Sequence, residues 1–150
     1  MKFRKEYGFL SNMASVFSGI RYENLIYPTV ENAYQAAKLE NEADRQIFTQ
    51  ISPVEAKKLS HKITKRPDWH QINLGIMKNL LDQKFAVPYF RNRLLATGNV
   101  ELVENNEWHD NFWGSCTCPR CQNKTHENHL GKMLMEIRDE LHKQGYGKKP

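Results

Sequence analysis

A chain of 150 residues supplies one average domain with a single core, and its 39% hydrophobic and 26% charged residues are those of an ordinary globular protein. No apolar run approaches the roughly 18 residues a membrane span needs, and the opening MKFRKEYGFL lacks the apolar centre of a signal peptide, so the expected location is the cytoplasm with no membrane partner. The formal charge of +5 favours anionic partners, but the basic residues are scattered apart from the GYGKK tail, which fits solvated helix faces better than a nucleic-acid groove.

In VFSGIRYENLIYP two β-rich runs flank Glu23-Asn24, which predicts a short hairpin. Pro28 ends it, and Thr29 is placed to cap a helix through TVENAYQAAKLE. On that helix Val30, Ala33, Tyr34 and Ala37 make an apolar stripe, while Glu31, Gln35, Lys38 and Glu42 share another face. SPVEAKKL carries a capping box, with Ser52 as N-cap, Pro53 next and Glu55 three residues on. DWHQINLGIMKNLLDQKF sets Trp69, Ile72, Ile76, Met77, Leu80 and Leu81 on one side of a helix of about four turns. A shorter helix starts at Pro88 and stops at Gly98, and VELVE predicts a short strand. Leu130, Met133, Leu134, Ile137 and Leu141 then mark a last helix closed by Gly145. With no repeat and no linker-like stretch, the expected fold is mainly α with a small N-terminal β element, one compact domain over residues 1–150.

Three places could carry chemistry. Glu31 falls in the first turn of its helix, where the dipole keeps a carboxylate ionised, and its companions Gln35 and Lys38 suit a cleft wall as well as a solvated surface. In NEWHDNFWG, Trp108 is read as core filling under a loop, Trp113 as core or as a platform for a planar ligand, and Asp110 as a ligand-facing acid or a turn cap. Cys116, Cys118 and Cys121 cannot pair evenly; with His126 or His129 as a fourth ligand they could hold a structural zinc, although only Cys118 and Cys121 have knuckle spacing. Free thiols or local packing are the alternatives, and nothing marks any of the three as an activated nucleophile. Lys84, Arg91 and Arg93 could each meet a phosphate or simply face water.

YGFLSNM, YPTVENAYQAAK, Trp69 followed by GIMKNLLDQKF, LLATGNVELVE, DNFWG and NHLGKMLMEIRDEL resemble, in order and spacing and over nearly the whole chain, the YbiA-like family, also called the NADAR domain. The resemblance implies a YbiA-like, mainly helical fold and an N-glycosidase, a hydrolase that cuts between ribose C1 and a base nitrogen. It also implies a phosphorylated substrate, either an early intermediate of riboflavin biosynthesis or an ADP-ribosylated nucleobase such as guanine. Nucleic acid then enters only as a modified substrate, and no metal or organic cofactor takes part in the chemical step.

Carried over position by position, Glu31 matches the acid of the family's P-[ST]-x-E-[HN] motif and Asp110 the acid of D-x-x-W-G, which makes them the catalytic pair. Phe9, Ser11 and Asn12 of the FLSN string, Lys38, Trp69, Trp113, Gly114 and Asn128 are implied as substrate-binding, with Trp113 first in line to stack on the base. The chain departs from the family at Ser60-His61, where relatives carry Gly-Arg, at His126-Glu127, where many carry glycines, and at the three cysteines, which replace a Gly-rich stretch. The competing expectation is a non-catalytic module whose zinc loop and basic surface bind nucleic acid or ADP-ribose.

Overall fold

The computed structural model describes residues 1–147; Lys148 and Lys149 of the basic tail lie outside the described residues. The described chain is mainly helical with a short N-terminal β pair, as the sequence predicts, and a second short β pair that it does not; it gathers into two compact units. No described helix is long and apolar enough to cross a membrane.

The first unit comprises residues 12–87. β1 (Ile20–Tyr22) and β2 (Leu25–Tyr27) pair antiparallel, with Ile20 opposite Tyr27, around a turn in which Glu23 adopts φ 52. This is the predicted hairpin. α1 (Val30–Ala36) follows, capped as expected by Thr29, whose hydroxyl oxygen accepts the Asn32 N–H at 3.0 Å. α1 is shorter than the sequence suggests, and Glu42 opens a separate short helix, α2 (Glu42–Arg45), instead of extending the polar face.

All seven residues of α1 are buried, so the predicted apolar stripe is one packed side among several. α3 (Pro53–Ser60) and α4 (Trp69–Ala86) both pack on it, where Ala33, Ala36 and Ala37 permit close approach. The polar groups α1 takes inside are met there: Asn32 donates to the carbonyls of Phe48 (2.9 Å) and Ile51 (2.8 Å). α3 opens with the predicted capping residues, the Glu55 N–H donating to Ser52 Oγ at 3.1 Å. In α4 the buried line runs through Trp69, Asn73, Met77, Leu80 and Lys84. Ile72 and Ile76, expected on that line, are half-buried and edge an open hollow of about 400 Å³ beside Tyr22, Gly75 and Asn79. None of the predicted site residues lines it.

The second unit comprises residues 1–11 and the chain from Pro88 onward. It holds α5 (Pro88–Ala96), ended at Gly98 with φ 63, and α6 (His129–Lys143), ended at Gly145 with φ 98, both as predicted. The predicted strand VELVE is not one. Residues 100–104 are held by side chains: the Leu102 carbonyl accepts Asn128 Nδ2–H at 3.0 Å, and the Glu104 N–H donates to Asn128 Oδ1 at 3.0 Å. Strand pairing begins just beyond, where β3 (Asn105–Asn106) runs parallel to β4 (Ser115–Cys116).

That pairing closes residues 107–114 into a loop. Buried Asn106 holds it from within, donating to the Asp110 carbonyl at 2.8 Å and accepting the N–H groups of Trp108 (3.3 Å) and Asp110 (3.1 Å). The far end of the loop caps α6. The N–H groups of Asn128, His129 and Leu130 donate to the carbonyls of Gly114 (3.2 Å), Phe112 (3.0 Å) and Trp113 (3.0 Å), so three donors that a helix start normally leaves unmet find partners. A side chain at position 114 would collide with the Glu104 carbonyl and carboxylate and with Asn106 Nδ2. Gly114→Ala should therefore cost about 3 kcal/mol of unfolding free energy, read from the urea midpoint; a midpoint equal to wild type would contradict this packing.

Candidate active site

The residue types the sequence singles out fall into two groups, one in each unit. In the first, Glu31 is 9% exposed on α1. Its N–H donates to the Asn12 carbonyl at 3.0 Å, which fixes the first helical turn, and its Oε1 accepts Gln35 Nε2–H at 2.9 Å across one turn. The carboxylate is thereby held in one orientation. Lys38 follows just past the helix end, its ammonium 5.6 Å from the Tyr34 ring centre and 6.0 Å from that of Trp69, and those two rings pack 5.0 Å apart. Burial pushes the Lys38 pKa down to about 8; the neighbouring Lys65 charge adds to the fall and Glu31 opposes it.

Two further oxygens mark this group. Asn12 Oδ1 and Gln35 Oε1 are buried and meet no hydrogen-bond donor among the described residues. An acceptor left so costs about 1–3 kcal/mol, the kind of deficit that a bound donor relieves. The structure thus brings together Asn12, Glu31, Lys38 and Trp69, and adds Tyr34 and Gln35, which the sequence placed on the right helix without marking them as site residues. The signal for Gln35 was present: it lies four residues from Glu31. Lys84 is wholly buried, with its pKa lowered to about 7 by that burial, so it is no solvated charge.

In the second unit, Asp110 Oδ1 accepts the N–H groups of Phe112 (3.1 Å) and Trp113 (2.9 Å). It therefore caps the turn, and only its other carboxylate oxygen is left for further contacts. Trp113 is half-buried against Phe112 (ring centres 4.9 Å apart, edge to face) and His129 (6.3 Å), so one ring is braced while part of its surface stays accessible. Trp108 corrects the expectation of a core residue: it is 58% exposed, because Asn106 gathers the loop backbone inward and turns this side chain out. Asn128 has both ends of its amide on the 102–104 backbone, which makes it a positioning residue for that segment. Phe9, half-buried in the 3₁₀ turn Lys5–Leu10, and Ser11, at its end, lie in this unit too. Arg91 and Arg93, the other proposed phosphate contacts, stack on Tyr146 and Tyr89.

The three cysteines are gathered, but with a different histidine from the one expected. His109, Cys116, Cys118 and Cys121 place their donor atoms within 4.8 Å of one another, a set able to hold a metal ion. His126 is engaged elsewhere, its Nε2–H donating to the Cys121 carbonyl at 2.7 Å and its Nδ1 meeting Ser115 Oγ at 2.6 Å. His129 is packed on Phe112 and faces Glu127. His109 escapes sequence reasoning because it precedes the first cysteine by seven residues, outside any knuckle spacing, and only loop closure brings it back.

Compared with known proteins, residues 1–142 match the model of the NADAR domain. The N-glycosidase Npun_R5314 of Nostoc punctiforme is 37% identical over 142 residues, spanning 90% of this chain and 86% of its own. The N-glycosidase YbiA of Escherichia coli is 31% identical over 140 residues, spanning 91% of this chain and 82% of its own. The NMR structure of the E. coli protein YbiA superposes with a TM-score of 0.78 at 29% identity, covering 100% of this chain and 89% of that one.

Proposed function

The chain belongs to the NADAR domain family, and on that premise we propose that it is an N-glycosidase acting on a phosphorylated ribosyl compound. That it hydrolyses an N-glycosyl bond follows from the relatives that carry this activity in their names across most of its length. The finer reading is that the substrate is an early phosphorylated intermediate of riboflavin synthesis or an ADP-ribosylated nucleobase such as guanine.

The observation that supports it best is the buried Glu31 carboxylate, fixed by Gln35 and set beside a half-buried lysine and the Tyr34–Trp69 pair. Cleavage of a ribose–nitrogen bond passes through a transition state with positive charge on C1 and the ring oxygen, which a fixed carboxylate stabilises. In the balanced reaction the C1–N bond breaks, its electron pair leaves with the base nitrogen, and a water oxygen bonds to C1. One water proton is accepted by the Glu31 carboxylate and passes to the departing nitrogen, so the products are free base and a reducing ribose phosphate. Gln35, donating to Glu31 Oε1, holds the carboxylate in place across one helical turn.

Within the first unit Lys38 is the cation for the phosphate; Trp113, in the second unit and braced by Phe112 and His129, carries the base-stacking role that the family resemblance implies. Asp110 serves as the second polar group through the oxygen that does not cap its turn. Neither a metal nor an organic cofactor enters the chemical step.

Glu31→Gln should leave the fold intact and lower kcat by about 10²–10⁴, measured as base release by mass spectrometry with circular dichroism as the folding control. A variant that turns over within twofold of wild type would remove Glu31 from this role.

Lys38 also sets a pH dependence. A lysine whose pKa is lowered to about 8 is protonated, and so able to hold a phosphate, only below that pH. kcat/KM should therefore fall as pH rises through about 8, and Lys38→Arg, charged throughout, should abolish that limb. Persistence of the limb in the arginine variant would assign it to another group.

A further inference from the structure

We propose that His109, Cys116, Cys118 and Cys121 bind one Zn²⁺ ion as a closed structural site that fastens the loop carrying Asp110 and Trp113. The distances suit the ion. Tetrahedral zinc with sulfur at about 2.3 Å and nitrogen at about 2.0–2.1 Å holds the nitrogen about 3.5 Å from each sulfur. His109 Nδ1 lies 3.3 Å from Cys118 Sγ, 3.3 Å from Cys121 Sγ and 3.8 Å from Cys116 Sγ. The donors converge on one point from three stretches of chain: the loop, β4 and the turn at Pro119–Cys121.

The surroundings support the ligands. Cys116 and Cys121 are buried, and the Cys118 N–H points at Cys116 Sγ at 3.5 Å, an arrangement that favours thiolate at that sulfur. Asn111 Oδ1 accepts the Cys116 N–H at 2.8 Å. His126, steadied by Ser115, fixes the Cys121 carbonyl, so the histidine first expected as a ligand orients one instead. His109 itself holds φ 67, a left-handed conformation that is rare for a residue with a side chain and that is kept where something over-determines it. A metal–nitrogen bond would do so.

Donor chemistry selects the ion. Three thiolates and an imidazole are a soft set that suits zinc and rejects magnesium or calcium. Four protein ligands leave no open position for water or substrate, so the ion is structural and activates nothing. Its effect is mechanical. His109 stands next to Asp110, and Cys116 stands two residues beyond Gly114, so the ion ties both ends of the Asp110–Gly114 segment to one point.

The test uses the full chain, produced with zinc supplied and purified with its thiols reduced. Metal analysis should find about one zinc per chain, and the metal-stripped protein should take up Co²⁺ with the intense visible and thiolate-to-metal bands of a tetrahedral site. Stripping should lower the melting temperature, and zinc should restore it. Cys118→Ser and His109→Ala should bind Co²⁺ more than about tenfold more weakly, whereas His126→Ala should still fill at saturating metal. Folded, reduced wild-type protein with neither zinc nor the cobalt bands would overturn the proposal, as would a disulfide between two of these cysteines under the same conditions. Metal retained by His109→Ala but lost by His126→Ala would overturn the ligand assignment. If the variants do not fold, the wild-type cobalt spectrum still decides, because its charge-transfer intensity counts the thiolates. None of these measurements depends on glycosidase activity.

Discussion

The start of α6 is where the second unit is decided. A helix beginning at His129 presents N–H groups that its own backbone cannot satisfy, and they are met by the carbonyls of Phe112, Trp113 and Gly114. Asn128, held at φ 48, turns its amide to the Leu102 carbonyl and the Glu104 N–H at the same point. Such proximity of three backbones is feasible only with glycine at 114 and at 131, since a side chain at Gly131 would strike the Leu102 carbonyl. The loop with Asp110 and Trp113 is therefore braced at its base by hydrogen bonds to the backbone, and the flanking cysteines and His109 stand immediately beyond that brace.

The first unit solves a different problem. A seven-residue helix has little stability of its own, and α1 exists because it is enclosed on every side. Enclosure obliges its polar residues to find partners, which is why Asn32 reaches the carbonyls of Phe48 and Ile51 and why Gln35 reaches Glu31. A carboxylate on such a helix cannot drift. The same burial that fixes Glu31 lowers the pKa of Lys38, so position and protonation have one cause.

Much of this was legible in the chain. The hairpin, the Thr29 and Ser52 caps and the glycine stops follow from local chemistry that tertiary packing did not override. Glu31 and its neighbour at the next turn could be read because helical spacing alone brings them together. What stayed hidden depends on contacts distant in sequence. VELVE has strand composition, yet its partner is the Asn128 side chain, not a second strand. Trp108 looks like a core residue until Asn106 is seen drawing the backbone inward beneath it. His109 joins the cysteines only after β3 and β4 pair and close the loop, an event that no spacing rule in the sequence encodes.

The central claim is that this chain hydrolyses a ribose–nitrogen bond and leaves the phosphate untouched. The most direct measurement is mass spectrometry of the products from a panel of N-ribosyl phosphates, including a pyrimidine ribose phosphate and an ADP-ribosylated guanine nucleoside. The account predicts that at least one member yields the freed base, or the free nucleoside from the ADP-ribosylated one, and the reducing sugar phosphate in equal amounts. Release of inorganic phosphate with the base still attached, or no product from any member, would contradict it.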